Sequence, residues 1–422
     1  MQIPGAEVIG RLVRNGGFVR LLSGRIVSNA GDSLYYVAAM WMIYDLTGSA
    51  AFTGLAGFLI RAPGFLSMFV GPLVDRWPLR GVLVVSQGVN ALVVLVVPVA
   101  YFLDVLTVWL LLAVLPVVTF VNQFMYPAQN AALPQLVTER DLTAANSLLA
   151  AGYRGADTVF NAASGVLIAL IGTISAFVLD AVTFLVAMAL FAGIVVPSDE
   201  SDPAEVDEPD EGSYLADLRE GIRLVHGSTL VPLLGGVFLT NLTAGALLGV
   251  LPAYAATISG PDAFGILMAS YAAGTFLGIL LASYLDRYAF GRVVSIAFPL
   301  GGLALVVAIF SPWFPMTVIM FFLSFVPVGS FNVQFWTLLQ STVDVDLLGR
   351  VSALAKSVGT VAIPVGSLVG GFVADVISVE LVVLSWGLGL LFFGLYVGLR
   401  PSLRRIPSVT AAEPGRLGLQ TG

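Results

Sequence analysis

The 422-residue sequence has no cysteine, one histidine (His226) and one lysine (Lys356). Without cysteine, the chain forms no disulfide and has no Cys-based metal or redox site. One histidine is too few for a His-based metal site or a catalytic triad, so no metal, no cofactor and no enzymatic activity are expected. Charged residues make up 11% of the chain, against roughly 25% in soluble domains, which excludes an ordinary soluble protein.

Long apolar segments dominate the chain, with 58% hydrophobic residues and a mean hydropathy of +0.96. A helix needs roughly 20 apolar residues to cross the hydrocarbon core of a bilayer. Lipid offers no hydrogen-bond partner to an unpaired backbone, so we predict an all-α membrane protein with twelve transmembrane helices. The predicted spans are 20–44, 51–75, 81–103, 106–128, 143–169, 174–196, 229–256, 263–285, 292–311, 315–338, 351–375 and 379–399.

Basic residues fall on one side of the predicted membrane. With the N-terminus placed in the cytoplasm, the inner loops and the tail receive the arginines and the outer loops receive none, which agrees with the positive-inside rule. We therefore predict a multi-pass protein of the cell (plasma) membrane with both termini cytoplasmic. The arginines that support this orientation are Arg76, Arg80, Arg140, Arg219, Arg223, Arg287, Arg292, Arg350, Arg400, Arg404, Arg405 and Arg416.

Acidic residues are concentrated between 199 and 211, a stretch with eight acidic residues, no basic ones and two prolines. Such a composition is typical of a solvated linker, and this one separates six predicted helices from six others. We predict an N-terminal bundle (1–196), an acidic cytoplasmic linker (197–228), a C-terminal bundle (229–400) and a cytoplasmic tail (401–422).

A charged turn connects the second and third predicted helices. It contains Gly71, Asp75 and Arg76 in the pattern G-x-L-x-D-R, followed by Arg80. Gly71 permits close helix packing, and Asp75 is placed to accept hydrogen bonds from the N-terminal amides of a neighbouring helix. This pattern resembles the loop 2-3 signature of the major facilitator superfamily.

The resemblance implies two six-helix bundles related by a pseudo-two-fold axis, with a cavity between them. In the family this aspartate helps to latch the transporter in one conformation, which implies that Asp75 is a gating residue. Asp286 and Arg287 end the second helix of the second half in the same way, so they join the predicted gating loop. The alternative is that Asp75 and Arg76 are a solvated loop pair.

Two further stretches resemble the bacterial exporters related to enterobactin and macrolide efflux proteins. The first is Gly31-Asp32 followed by the segment 41–49, and the second is Asp180-Ala181 followed by Thr183-Phe184. The resemblance implies export of a small drug-like or siderophore-like molecule.

Four ionisable residues lie near the middle of predicted helices: Asp32, Arg61, Arg154 and Asp157. Each costs roughly 2.5 to 3.5 kcal/mol to insert, which makes it a functional candidate by default. Asp32 and Arg61 lie at similar depth, and Arg154 and Asp157 share a helix face, so both pairs are candidate ion pairs. We predict that Asp32 exchanges the coupling proton. The alternative is a permanent network that locks helices 1, 2 and 5 together.

Asp180 lies close to the outer end of the sixth predicted span, where a structural cap is expected rather than a cargo ligand. Cargo contacts are predicted instead in the second half, where amides and aromatic rings lie at matching depth. The alternative for these aromatic side chains is that they face lipid or fill a core. The candidates are Asn241, Asn332, Gln334, Phe331, Phe335 and Trp336.

The predicted function is secondary active export of a small amphiphilic molecule by alternating access, with antiport of protons as the expected coupling. No G-x-x-x-x-G-K-[ST] pattern occurs, so no ATP site of that kind is expected. The alternatives are an importer or uniporter of a small metabolite and, more remotely, a membrane sensor or lipid enzyme. The expected partners are the lipid bilayer, the cargo and protons, with no nucleic acid, and a monomer suffices.

Overall fold

The computed structural model describes residues 4–66, 70, 74, 77–194 and 227–411, and the regular secondary structure within these ranges is helical. The helices are α1 (Pro4–Arg14), α2 (Gly16–Thr47), α3 (Ala50–Arg61), α4 (Leu79–Phe102), α5 (Val108–Asn122), α6 (Met125–Leu136), α7 (Glu139–Ile171), α8 (Thr173–Ala192), α9 (Leu230–Ala256), α10 (Pro261–Leu285), α11 (Phe290–Phe310), α12 (Phe314–Thr342), α13 (Val345–Val376), α14 (Val379–Leu399) and α15 (Pro401–Arg404). Two short 3₁₀ segments cover Ala62–Leu66 and Val409–Ala411.

Eleven of the twelve predicted spans coincide with a helix or begin in one or at its edge. The span 106–128 covers α5 and, after a turn at 123–124, the start of α6. Within the described residues, nine spans are long and apolar enough to cross a membrane by length and composition. The other three lie in α2 and α7, which carry more polar side chains, and in α3, which is short. The predicted span 51–75 begins in α3, but the α-helix ends at Arg61 and continues as a 3₁₀ segment. Pro63 explains the change, because proline lacks an amide hydrogen and its ring clashes with the preceding turn.

The described residues fall into two compact units, one formed by 4–47 and 59–194 and the other by 48–58 and 227–411. In the first unit, α8 packs on α2 and α4, and α7 packs on α2. Its core contains fully buried apolar side chains such as Phe18, Leu83 and Phe191. The predicted boundaries of the bundles, linker and tail stay a prediction.

An ion pair fastens α1 to the start of α7 in this unit. Arg11 donates from Nη2 to Asp141 Oδ1 at 2.6 Å and from Nε to Asp141 Oδ2 at 3.2 Å. Asp141 precedes the predicted span 143–169, so the pair lies outside the membrane-spanning segments. The hydrogen bonds from Arg11 lower the pKa of the Asp141 carboxyl below its usual value of 3.8.

We expect this ion pair to stabilise the protein at neutral pH and not in strong acid. Because the folded pKa of Asp141 is lowered, its contribution is fully present above the unfolded pKa and is lost as pH falls through the folded pKa. The thermal midpoint of Asp141→Asn should therefore lie below that of the wild type at pH 5 to 8, and the difference should shrink below about pH 4. A difference that is constant down to pH 3 would contradict this account.

In the second unit α9 packs on α13, α10 on α12, and α11 on α14. Glycines bring these helices into backbone contact, since a methyl group built at Gly366 would overlap the carbonyl oxygen of Leu242, and one at Gly245 would overlap that of Ile363. Small residues at helix interfaces are the usual basis of close packing in membranes, where no hydrophobic effect draws helices together.

Residues 48–58 belong to this second unit, although they precede the predicted linker. Asp375, near the end of α13, accepts hydrogen bonds from the Ser49 hydroxyl (2.5 Å) and from the backbone amides of Ala50 (2.8 Å) and Ala51 (3.1 Å). The carboxylate therefore caps the N-terminus of α3 from another helix. One turn along, the Ser367 hydroxyl donates to the carbonyl oxygen of Gly54 at 3.1 Å.

Asp375→Ala is expected to lower the free energy of unfolding by about 1 kcal/mol, the usual cost of a lost helix cap. That corresponds to a fall of about 2–4 °C in the thermal midpoint of a unit of this size. Asp375→Asn keeps an acceptor oxygen and should lose less. Asp262→Ala is the matched control, because Asp262 is an exposed aspartate in the first turn of α10. Asp262 also places a negative charge at a helix N-terminus but makes no cap within the described residues. Equal losses in Asp375→Ala and Asp262→Ala would therefore show that the hydrogen bonds of the cap add nothing beyond that charge.

Candidate functional site

Asp32 lies in the middle of α2, half-buried in the first unit. Its Oδ1 accepts a hydrogen bond from Nδ2 of Asn122 on α5 at 2.9 Å. Oδ1 of Asn122 in turn accepts from Nδ2 of Asn90 on α4 at 2.7 Å, and Asn90 has no exposed surface. A line of two amides thus runs through the helix bundle and ends on the carboxylate.

Asp180 was expected to be a cap at the outer end of its helix, and the structure contradicts this. It lies two turns inside α8, with no exposed surface, and faces Gly31 of α2. The depth along the helix was predicted to within one residue, since the predicted span begins at 174 and α8 at Thr173. What the sequence does not give is that the side chain faces α2, because that depends on packing. The second acidic side chain therefore belongs to the neighbourhood of Asp32.

Of the other three ionisable residues predicted in the membrane, the structure describes the side chain of Arg61 only. The Arg61 guanidinium, at the end of α3, lies over the ring of Tyr36, 5.6 Å from the ring centroid. Arg61 therefore makes a cation–π contact. The expected ion pair between Arg61 and Asp32 is not among the contacts of the described residues. Arg154 and Asp157 lie in α7, but their side chains lie outside the described residues, so their pairing stays a prediction.

Sequence reasoning missed several polar residues near Asp32. Asn90 and Asn122 were not selected because only ionisable residues were considered in the first half, and the partner of an amide is invisible in the sequence. Arg25, two turns before Asp32 on α2, is only 9% exposed and lies over the Tyr153 ring, 4.7 Å from the centroid. The available signal was that all three are polar side chains inside otherwise apolar segments.

Of the predicted gating loop in the first half, Gly71, Asp75 and Arg76 lie outside the described residues. Arg80, in the first turn of α4, donates a hydrogen bond to the carbonyl oxygen of Ala192 at the end of α8. A basic side chain at the C-terminal end of a helix is favourable because it meets unpaired carbonyl groups there. Arg80 therefore joins two helix ends.

The corresponding turn in the second half begins with Asp286, directly after α10. Burial raises the pKa of the Asp286 carboxyl above its usual value, and its buried Oδ1 has no hydrogen-bond partner within the described residues. Arg287 lies over the Tyr288 ring, 5.2 Å from the centroid. The segment after α15 packs against the same turn, since the amide of Phe290 donates to the carbonyl oxygen of Pro407 at 3.1 Å.

The aromatic cargo candidates of the second unit lie mostly in packed surroundings. Phe331 is 8% exposed and contacts the rings of Phe298 and Phe393, with centroids 5.5 and 5.6 Å away. It stacks on Phe335 at 5.4 Å. Trp336 is half-buried beside Phe335, with the Lys356 ammonium 6.0 Å from its ring centroid.

The polar cargo candidates differ in exposure. Gln334 is 1% exposed, and its Nε2 has no hydrogen-bond partner in the described part of the chain. Asn332 is exposed on α12, and Asn241 is half-buried on α9 beside Gly359 of α13. Their contact with cargo stays a prediction, as does that of the aromatic candidates.

An apolar cleft of about 380 Å³ opens in the first unit between the start of α4 and the end of α5. The stacked rings of Trp77 and Phe124 form part of its wall, with centroids 6.0 Å apart. Ser86 is the hydroxyl residue in its lining. The complete lining is Trp77, Pro78, Gly81, Val82, Val85, Ser86, Val89, Val121 and Phe124.

Comparison with solved structures shows the fold. A bacterial homologue of the iron transporter ferroportin, solved in an inward-facing state, superposes with a TM-score of 0.71, covering 92% of this chain and 98% of that one at 17% identity. At this identity the likeness concerns the fold alone. It confirms the predicted major facilitator fold.

Several bacterial proteins of similar sequence align with nearly the whole chain. An uncharacterised MFS-type transporter, YvqJ of Bacillus subtilis, is 27% identical, covering 89% of this chain and 92% of its own. The multidrug efflux pump Tap of Mycolicibacterium fortuitum is 24% identical (93% and 98%), and macrolide efflux protein A of Streptococcus pyogenes is 23% identical (86% and 90%). The predicted resemblance to macrolide efflux proteins is thereby confirmed.

A family model described as transmembrane secretion effector matches residues 12–415. This match spans all the described helices except the start of α1. The chain is therefore a multi-pass membrane transporter that belongs to the transmembrane secretion effector family of the major facilitator superfamily.

Proposed function

We propose that this protein exports a small amphiphilic molecule across the plasma membrane by alternating access, in exchange for protons. The observation that carries the proposal is the position of Asp32. It is a carboxylate in the middle of a membrane-spanning helix, held by the amide of Asn122 and, through it, by Asn90. A carboxylate maintained at that depth, despite the cost of insertion, is suited to exchange a proton.

The direction and the cargo class are supported by different observations. The names of Tap and macrolide efflux protein A indicate efflux of drugs by those two relatives. The cleft between α4 and α5 is lined mainly by apolar and aromatic side chains with one hydroxyl residue, Ser86. Such a lining suits a molecule with an apolar body and few polar groups.

The test is transport into everted vesicles of bacterial membrane that contain the protein. A lipophilic cationic dye and a macrolide serve as cargo, and the vesicle lumen is made acidic. Export in the cell corresponds to uptake by everted vesicles, so we expect cargo to accumulate there and accumulation to collapse when an ionophore removes the pH gradient. Vesicles from cells without the protein provide the baseline.

The alternatives give different results in the same assay. An importer accumulates cargo in right-side-out vesicles instead, and a uniporter equilibrates cargo without accumulating it. Accumulation that persists after the ionophore, or that follows a sodium gradient, would contradict proton exchange while leaving export in place.

A further inference from the structure

Asp180 is fully buried, yet its carboxylate has few hydrogen-bond donors. The Thr183 hydroxyl donates to the backbone carbonyl oxygen of Asp180 at 2.7 Å and lies 3.4 Å from Asp180 Oδ1. Oδ2 is buried as well and has no hydrogen-bond partner among the described residues. Burying an ionised carboxylate without donors costs several kcal/mol, so a purely structural hydrogen bond does not account for this residue.

Asp180 faces α2 next to Asp32. A methyl group built at Gly31 would overlap both Asp180 Oδ1 and Thr183 Oγ1, so the carboxylate lies directly against the α2 backbone at the residue before Asp32. The two carboxylates interact electrostatically, and Tyr35, one turn further along α2, interacts with both. The Tyr35 hydroxyl is buried and also has no hydrogen-bond partner in the described ranges.

Asp180 lies against Gly31, the residue before Asp32, and two like charges on such neighbouring side chains repel in a medium of low dielectric constant. When two carboxylates share a site, a single proton removes the repulsion and satisfies one of the oxygens by converting it into a hydroxyl donor. The pair then titrates as a unit rather than as two separate residues. The buried hydroxyl of Tyr35 supplies a further polar group for the same small volume.

The elements packed around Asp180 limit what else acts on it. From α2 the ionisable groups are Asp32 and Tyr35, with the buried Arg25 two turns before Asp32. From α4 the buried polar groups are Ser86, Gln87 and Asn90, and all three are neutral. From α7, Arg154 and Asp157 lie outside the part of the chain whose side chains are described.

We propose that Asp32 and Asp180 together bind one exchangeable proton, with Asp180 as the fully buried member of the pair. On uptake, an O–H bond forms between a carboxylate oxygen and a proton from water. On release, that bond breaks and the proton returns to water on the other face of the membrane. The role of this pair in coupling rests on the proposed function, which is export in exchange for protons. The binding of one proton by the pair does not depend on that function.

The test is infrared difference spectroscopy of the full-length protein in lipid, titrated with acid in the absence of cargo. The carbonyl stretch of a protonated carboxylic acid is separate from the bands of carboxylate, so it reports the bound proton directly. Exposed carboxyls are ionised above about pH 6, so the band is followed in that range. There we expect a pH-dependent carboxylic acid band in the wild type and its loss in Asp180→Asn, because a lone Asp32 has no second carboxylate to raise its affinity for a proton. In Asp32→Asn the titration of the band should shift. Asp262→Asn removes an exposed aspartate of α10 and should leave the band unchanged.

A band of full intensity in Asp180→Asn, or one that follows sodium concentration rather than pH, would overturn the assignment. If Asp180→Asn is not obtained in folded form, Asp180→Ser removes the same carboxyl from a smaller side chain and is measured in its place. In liposomes, loss of gradient-driven efflux in Asp180→Asn supports the coupling role. If the efflux by Asp180→Asn depends on the gradient as strongly as that by the wild type, the coupling role is overturned. Absence of gradient dependence in the wild type would refute proton-coupled export, while the infrared result still decides whether the pair binds a proton.

Discussion

Replacing Asp32 with Asn is expected to abolish the accumulation of cargo that a pH gradient drives, while cargo still equilibrates slowly across the membrane. Asn has the size and shape of Asp and keeps an oxygen that accepts from Asn122, so the amide line through Asn90 is preserved. It cannot bind or release a proton. The variant therefore separates binding and movement of cargo from coupling.

The size of the effect follows from the energy in the gradient. One pH unit corresponds to about 1.4 kcal/mol per proton, which supports about a tenfold ratio of cargo concentrations when one proton is exchanged for one neutral cargo molecule. In liposomes with a gradient of one unit, we therefore expect about tenfold accumulation by the wild type and a ratio of about one for Asp32→Asn. Uptake is measured with a fluorescent cargo to its steady state.

Asp262→Asn is the matched control, because it also removes one aspartate charge, at an exposed position in α10. It should accumulate cargo as the wild type does. Tenfold accumulation by Asp32→Asn would show that coupling does not need Asp32, and the coupling residue would then be sought at Asp180 or Asp157. Slow equilibration by both proteins, with no accumulation in either, would favour the uniporter.

The number of helices was predictable because the membrane restricts the backbone more strongly than water does. Each long apolar segment had one available structure, and the segments were separated by charged or turn-forming residues. The end of the α-helix at Arg61 was less predictable. Pro63 permits a kink in a membrane helix but does not require one, and the tightening into a 3₁₀ segment depends on its surroundings.

The candidate site was harder to predict, because a sequence gives depth along a helix but not the direction in which a side chain points. Asp32 and Arg61 were expected to pair, yet Arg61 lies over Tyr36, one turn beyond Asp32 on α2. Asp180 was assigned to a helix end, although packing on Gly31 places it beside Asp32. Which residues meet was set by the rotation of each helix about its axis.

The membership of residues 48–58 in the second unit was equally hidden. Nothing in the order of the chain connects Ala50 with Asp375, because more than 300 residues separate them. Ser367 and Gly371 look like ordinary small residues of a membrane helix, and their role becomes visible only where α3 approaches them. Sequence patterns predict which helices form, whereas partners across the chain depend on complementary surfaces.

The close contact between α9 and α13 gives the second large expected effect. Gly366→Val adds three carbon atoms where even one would overlap the backbone carbonyl oxygen of Leu242. A backbone group cannot rotate away as a side chain does, so the two helices must separate and lose contacts along the interface. We expect a destabilisation of about 3 kcal/mol or more, at the upper end of the range for overpacked cores.

For a unit of this size, that destabilisation lowers the thermal midpoint by about 6–12 °C. The midpoint is measured on detergent-purified protein, together with the fraction that stays monodisperse on size exclusion. Gly235→Val is the matched control, because Gly235 is exposed on α9 and a methyl group there meets no atom within 4 Å. It should leave the midpoint nearly unchanged. If both variants lost the same stability, the loss would come from replacing glycine in a helix and not from the contact between α9 and α13.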